Sequence, residues 1–239
     1  MKEKIEPEIN LPKQERERRE LERNPETPEL SSEAINLVTN LCFRPESLPD
    51  RADLIFVFST SVHLDELGDL VKKLLEENIS DKVMLSGGVP LYEDVAEIPK
   101  PESQLILDKI DTDKFPGVKF YTEKNSRNTK ENVEESLKVL DFSTYKKILF
   151  IFKSHAAGRG YLTLKKHCPG TDFFQQTYNP KYNETSRALS EADWFEDDFN
   201  KKRVWGEFLR IKTYGEKGDI YYPDEVKDEV EKILKITKI

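Results

Sequence analysis

The most constraining feature of the chain is a repeated alternation between short β-rich apolar runs and longer segments of helical periodicity. Continuous apolar runs of this length are typical of parallel strands that are covered on both faces. Because helical segments lie between them, the pattern predicts parallel βαβ units with right-handed crossovers. The chain is therefore predicted to adopt an α/β, Rossmann-like three-layer fold with a mainly parallel sheet. The five predicted strands are residues 54–59, 82–88, 118–123, 147–154 and 171–176.

Composition divides the chain into three parts. Residues 1–30 form a charged N-terminal arm, since 14 of the first 24 residues are Lys, Arg or Glu. An arm with so little apolar surface is expected to be mobile, the alternative being a solvated helix that binds a partner. Residues 31–178 hold the α/β pattern, and residues 179–239 form a C-terminal helical extension packed on the core. The three helices predicted in this extension are residues 190–200, 201–215 and 223–236.

The charge balance limits the classes of partner. Charged residues make up 35% of the chain and the formal net charge is −8, so nonspecific binding to nucleic acid or to an anionic membrane is not expected.

No apolar run is as long as a membrane span, and the N-terminus has no apolar signal segment. Cys42 and Cys168 lie far apart without a CxxC motif, which indicates buried thiols in a reducing compartment. A cytoplasmic location is therefore expected.

Four polar or glycine-bearing loops follow the predicted strands. In an open parallel sheet such loops meet at the carboxyl ends of the strands, where helix N-termini bind ligands. The chain has no GxGxxG and no GxxxxGK[ST] motif, which excludes the standard dinucleotide and P-loop sites. Its three histidines lack HxxxH-type spacing, so no metal site is predicted, and without a GxSxG elbow no nucleophile is named. The four loops are STSVH at 59–63, SGG at 86–88, KNSRNT at 124–129 and SHAAGRG at 154–160.

The third loop runs directly into a strong helix-forming segment, TEKNSRNTKENVEESL at residues 122–137. Asn128 and Glu131 fit an Asn variant of the capping box, and Thr129 lies where it could share the capping. Capping does not require Ser126, Arg127 or Asn132 as well. From the residues alone, a structural role and a ligand-binding role for this loop are equal alternatives.

The fourth loop contains a histidine and an arginine four positions apart, His155 and Arg159. If the helix has already begun, both lie on one face near its N-terminus, where the helix dipole also favours an anion. A phosphate or carboxylate would be stabilised by both side chains. The alternative is a histidine satisfied by backbone groups and an arginine on the solvent side. His155 is expected to act either as a titrating cation or as a neutral hydrogen-bonding residue.

Taken in chain order, these motifs resemble the YdcF-like family, the soluble relatives of the SanA and ElyC envelope proteins. The resemblance rests on LSGG at 85–88, a Glu in PESQLIL at 101–107, SRNTKEN at 126–132 as the family's S-x-N-T-x-E-N, and the His and Arg loop. It covers roughly residues 31–174. Two features depart from the family pattern: the loop at 59–63 lacks a glycine, and the spacing between His155 and Arg159 is one residue longer than H-x-x-R.

The resemblance implies a polar ligand site at the strand ends and a small anionic or nucleotide-like ligand, with S-adenosylmethionine a candidate. It leaves the reaction open, a transferase or a hydrolase being expected, with Glu102 and His155 as candidate catalytic residues. The alternative is a non-enzymatic regulatory or scaffolding protein that uses its charged arm and C-terminal helices. The predicted ligand-binding residues are Ser59, Ser86, Gly87, Gly88, Glu102, Ser126, Asn128, Thr129, Glu131, Asn132, His155 and Arg159.

Overall fold

The predicted α/β fold is confirmed by a computed structural model, which describes residues 21–89, 100–182 and 187–238. Five strands in this part of the chain form one parallel sheet in the order β3-β2-β1-β4-β5. β4 returns to the other side of β1, so the loops after these two strands diverge and leave a crevice where ligands bind in folds of this type. The strands are β1 (Leu54–Val57), β2 (Lys82–Leu85), β3 (Lys119–Thr122), β4 (Lys147–Lys153) and β5 (Asp172–Tyr178).

Helices cover both faces of the sheet, as the apolar strands require. Short 3-10 turns precede β3 and β4 and follow β4, at Thr112–Lys114, Phe142–Thr144 and Ser154–Ala156. The α-helices are α1 (Ser32–Cys42), α2 (Leu64–Glu76), α3 (Glu102–Leu107), α4 (Thr129–Val139), α5 (Ala157–His167), α6 (Asp198–Glu216) and α7 (Asp224–Thr237).

Alternate side chains of each strand pack on opposite layers, because successive residues of a strand point to opposite faces. α2 and α3 pack on one face, and α4 and α5 pack on the other. The first face carries Ile55, Val57, Val83, Leu85, Leu149 and Ile151, and the second carries Leu54, Phe56, Met84, Ile148, Phe150 and Phe152. All twelve side chains are buried, so the sheet is a rigid base for the loops at its edge.

The C-terminal helices build a further apolar cluster with α1, to which Trp194, Trp205 and Phe208 contribute. One expectation for this region was wrong: residues 190–200 are not a helix, because 191–196 form turns. Helix α6 begins only at Asp198, where the Asp197 carboxylate accepts a hydrogen bond from an N–H of the first turn and stabilises the helix end. No helix within the described ranges is long and apolar enough to cross a membrane.

Part of the predicted arm lies against α6. Residues 1–20 are outside the described residues, but Arg210 Nη2 donates to the Glu22 carbonyl at 2.8 Å and Lys202 pairs with Glu26. The Arg23 carbonyl approaches Gly206 so closely that a Cβ added to this glycine would lie 2.9 Å from it. Residues 22–26, within the arm that the sequence predicts to be mobile, therefore form a strap across α6 that cations of this helix contact.

Candidate functional site

A polar cleft of about 220 Å³ opens beyond the carboxyl ends of β1 and β4. The loops after these strands, the start of α4, the start of α5 and the polar face of α6 surround it. The structure thus brings most of the predicted site residues together at the crevice of the sheet. The eight that line the cleft are Ser59, Glu102, Ser126, Asn128, Thr129, Asn132, His155 and Arg159. The other four, Ser86, Gly87, Gly88 and Glu131, are outside the lining.

The glycine pair after β2 allows three loops to converge. Gly87 has a φ of 131°, and a Cβ built on it would lie 2.5 Å from the Ser59 Cβ and 2.7 Å from the Glu102 Cβ. A Cβ on Gly88 would lie 2.6 Å from the Ser126 carbonyl oxygen, to which the Gly88 N–H donates at 2.9 Å. Both positions therefore require glycine, for close approach and, at Gly87, for a left-handed backbone.

Ser86 is fully buried behind the cleft. Its Oγ donates to the Val57 carbonyl at 2.8 Å, and its N–H donates to the same carbonyl at 3.0 Å. Because the hydroxyl already has a partner and has no exposed surface, it fixes the end of β2 to the end of β1 rather than facing the cleft.

Residues at the start of α4 form the predicted cap. The Asn128 Oδ1 accepts from the Glu131 N–H at 3.0 Å, and the Asn128 Nδ2 donates to the Glu131 Oε1 at 2.7 Å. The Glu131 Oε2 accepts from the Arg127 N–H at 2.8 Å, one residue before the N-cap. Capping by Asn128 is confirmed, and Glu131 is used in it, which accounts for its place outside the lining.

The sequence reading missed Glu123, a buried carboxylate directly after β3. It accepts hydrogen bonds from the Gly87 N–H and the Ser126 Oγ, and from the N–H groups of Asn125 and Ser126 at 3.0 and 3.1 Å. A carboxylate that accepts several N–H and O–H donors is a strong anchor in a buried site. Glu123 therefore holds two strand-end loops together. The sequence feature that could have indicated this role is an acidic residue at the end of a strand, directly before a polar loop.

A chain of side-chain hydrogen bonds extends from Glu123 across the floor of the cleft. The Ser126 hydroxyl, which donates to Glu123, accepts from the Asn132 Nδ2 at 2.6 Å. The Asn132 Oδ1 in turn accepts from the Ser59 Oγ at 3.0 Å. Ser126 and Asn132 are both buried, so these two of the residues that capping did not explain have a structural role as well as a place in the lining.

His155 and Arg159 both face the cleft, from the turn and the helix that follow β4. His155 is buried, and its Nε2 lies 3.1 Å from the Tyr182 hydroxyl, whereas its Nδ1 has no hydrogen-bond partner within the described residues. Arg159 is not on the solvent side, since its Nε donates to the Glu207 Oε2 at 2.7 Å. The structure therefore excludes the alternative of an exposed arginine.

The protonation state of His155 follows from its surroundings. Burial is the main cause that lowers its pKa to about 3, and the charge of Glu207 opposes this change. The positive charges of Arg203, Lys153 and Arg159 lower the pKa further. The imidazole is therefore neutral at neutral pH, which favours a hydrogen-bonding role over that of a titrating cation.

Replacing His155 with asparagine is expected to flatten the dependence of stability on pH. The folded-state pKa of about 3 lies below the ordinary value of 6.5, so between these values the unfolded chain binds the additional proton. The wild type should lose about 1 kcal/mol of unfolding free energy between about pH 7 and about pH 5.5 through this group. Urea titrations at both pH values measure the change.

The control is Lys227→Gln at the surface, because lysine does not titrate between these two pH values. This variant should keep the wild-type difference between them. An unchanged difference in His155→Asn would show that this imidazole does not titrate on unfolding.

Cations from distant parts of the chain complete the cleft. Arg203, Glu207 and Arg210 lie three and four positions apart on α6, so they occupy one face of the helix. This spacing is present in KKRVWGEFLR at 201–210, and it could have predicted that the three side chains share one face of a helix. The lining holds two carboxylates, Glu102 and Glu207, and six cationic residues: Arg23, Arg127, Lys153, Arg159, Arg203 and Arg210.

The cleft therefore has a formal excess of four positive charges, although the chain as a whole has a net charge of −8. Lys153, the last residue of β4, makes no hydrogen bond and no ion pair within the described residues, and burial lowers its pKa to about 8. A cationic cleft in an acidic protein concentrates anions, because its walls focus the local field.

The described residues contain no group of three or more His, Cys, Asp or Glu side chains placed to hold a metal ion.

No family model, no curated protein and no solved structure matches this chain.

Proposed function

We propose that the protein is a YdcF-like protein that binds a small anionic or nucleotide-like ligand in the strand-end cleft, in the cytoplasm. The observation that carries this proposal is the local charge, six cationic residues against two carboxylates in a chain of net charge −8. Buried cations without a counter-charge are costly, and Arg203 and Arg210 are buried, so a bound anion offsets that cost. S-adenosylmethionine is the candidate that the family resemblance supplies.

The lining offers distinct groups to such a ligand. The Glu102 carboxylate can accept hydrogen bonds from ligand hydroxyl or amine groups. The N–H groups at the start of α4, next to Asn128 and Thr129, attract the negative end of the ligand, and the Arg159 guanidinium lies across the cleft.

A transferase or hydrolase reaction would use the same groups. The neutral His155 imidazole can hydrogen-bond a reacting group, and the Glu102 carboxylate can orient a ligand hydroxyl or a water. The charge of Arg159 would stabilise negative charge that develops on a transferred group. These three side chains, all in the lining, are the ones we assign to any chemistry in this cleft.

Isothermal titration calorimetry with S-adenosylmethionine, S-adenosylhomocysteine and a set of nucleotides tests the proposal. We expect at least one of these compounds to bind, and Arg159→Lys to weaken its affinity roughly 10-fold or more, because lysine does not reproduce the fork of the guanidinium. Arg187→Lys is the matched control, since this exposed arginine is outside the lining. Absence of binding to every compound would refute the proposal.

The alternative function, that of a regulatory protein without a ligand, predicts a different result. It would retain a partner in pull-down experiments when Glu102, His155 and Arg159 are all replaced. The strap contacts on α6 disfavour the part of this alternative in which residues 22–26 recruit the partner, because the same residues are already bound within the chain.

A further inference from the structure

We infer that the ligand carries a phosphate or diphosphate group, which Lys153 and Arg203 bind at the junction of β4 and α6. The inference rests on the proposed function, because it names the chemical class of the ligand in the same cleft. The carboxylates of the lining are unevenly distributed among its cations.

The carboxylate of Glu207 is already shared by two arginines. Arg159 donates to it at 2.7 Å and Arg210 Nη1 lies 3.4 Å from it. Arg203 and Lys153 make no ion pair with a carboxylate within the described residues. The positive charge that an anion can neutralise is therefore concentrated on these two side chains.

Arg203 also has an unused donor. Only 7% of its surface is exposed, its Nη1 lies 3.4 Å from the Asn24 Oδ1, and its Nε has no hydrogen-bond partner within the described residues. The guanidinium lies over the Tyr182 ring, with the Cζ 4.0 Å from the ring centroid. A buried N–H without an acceptor is costly, and a phosphate oxygen is an acceptor suited to the planar guanidinium.

The number of negative charges favours phosphate over carboxylate. A carboxylate contributes one charge against the two of Lys153 and Arg203, whereas a phosphate monoester has about −1.5 to −2 at neutral pH and a diphosphate more. An ammonium and a guanidinium in the same lining provide donors for the several oxygens of a phosphoryl group.

The same features disfavour S-adenosylmethionine. Its sulfonium and ammonium groups outnumber its carboxylate, so it is a net cation and the cleft repels it. Arginines also lie near the two aromatic rings of the lining: Arg203 at Tyr182, and Arg159 with its Cζ 5.8 Å from the Phe152 centroid. These rings therefore offer little free surface for stacking of an adenine base.

Calorimetry with inorganic pyrophosphate, ADP, S-adenosylmethionine and S-adenosylhomocysteine separates the classes. We expect pyrophosphate and ADP to bind at least about 10-fold more tightly than both sulfur compounds, with affinity that falls as salt is added. Lys153→Gln and Arg203→Gln should each weaken pyrophosphate binding about 10- to 100-fold. The matched controls are Lys227→Gln and Arg187→Gln, exposed residues outside the lining, which should leave the affinity unchanged.

A second measurement uses the unaltered protein. The aldehyde of pyridoxal 5′-phosphate condenses with a lysine amine to an imine with loss of water, and borohydride reduces the imine to a stable amine. Because the probe carries a phosphate and an aldehyde, and the pKa of Lys153 is about 8, we expect labelling at Lys153 first, with pyrophosphate preventing it. Peptide mass spectrometry identifies the labelled residue.

The outcomes distinguish the two proposals. If S-adenosylhomocysteine or S-adenosylmethionine binds while pyrophosphate and ADP do not, the phosphate inference fails and the proposed function stands. If no compound binds, both fail. Labelling that is spread over exposed lysines, or unaffected by pyrophosphate, overturns the assignment of Lys153 as the phosphate-binding lysine.

Discussion

Replacing Gly158 with alanine is expected to lower the free energy of unfolding by about 3 kcal/mol or more, at the upper end for overpacked sites. Gly158 is the second residue of α5, and a Cβ built on it would lie 1.9 Å from the Leu41 carbonyl oxygen and 3.1 Å from that of Cys42. Both are backbone atoms at the end of α1, so relief requires one helix to move. For a chain of 239 residues the thermal midpoint should fall by about 6–12 °C.

Two glycines provide matched controls for this prediction. A Cβ on Gly160, in the same helix, would lie 2.8 Å from the Phe152 ring, a side chain that can adjust, and a Cβ on Gly117 would meet nothing within 4 Å. Gly160→Ala should therefore cost less than Gly158→Ala, and Gly117→Ala should leave the midpoint nearly unchanged. A smaller loss for Gly158→Ala than for Gly160→Ala would contradict the backbone contact.

The Gly158 contact also affects the position of Arg159 in the cleft. With a glycine at this position, α5 approaches the end of α1 closely, and Arg159, the next residue, is directed to Glu207 on α6. A change at Gly158 should therefore weaken ligand binding as well as stability.

The fold was predictable because its signals are local. A run of apolar residues at 54–57 or 147–152 is buried on both faces whatever the neighbouring strand is, and helical periodicity between such runs leaves few arrangements other than parallel units. The cap of α4 was predictable for the same reason, since Asn128 and Glu131 lie within one helical turn.

Part of the site depends on contacts between distant parts of the chain. Arg203, Glu207 and Arg210 reach the cleft only because α6 packs across α1 and α5, an arrangement that no local pattern specifies. The protonation of His155 depends on its burial beneath Tyr182, which is equally nonlocal. The strand-end loops therefore predicted the residues at the floor of the cleft, but not the cationic residues that α6 contributes to its lining.

Replacing Glu207 with glutamine is expected to lower the free energy of unfolding by about 3–5 kcal/mol. The amide keeps the shape of the side chain but leaves the buried Arg159 and Arg210 without their shared counter-charge. Burial by itself raises the pKa of Glu207, but the charges of the two arginines outweigh it and hold the pKa well below its ordinary value of 4.5. The stabilisation is therefore complete above about pH 4.5 and is lost as the pH falls below it.

The control for this change is Glu196→Gln, because Glu196 pairs with Arg187 at the surface. An exposed ion pair contributes at most about 1 kcal/mol, so urea midpoints should separate the two variants clearly. Equal losses would mean that the carboxylate of Glu207 is solvated rather than buried between cations.

The same substitution should change anion binding in the opposite direction. Glu207→Gln raises the formal excess of positive charge in the cleft from four to five, so pyrophosphate should bind the variant more tightly than the wild type. Since a ligand stabilises the state it binds, added pyrophosphate should raise the thermal midpoint of Glu207→Gln by more than that of the wild type. An equal rise in both would show that the charge of the Glu207 carboxylate does not affect the binding of the anion.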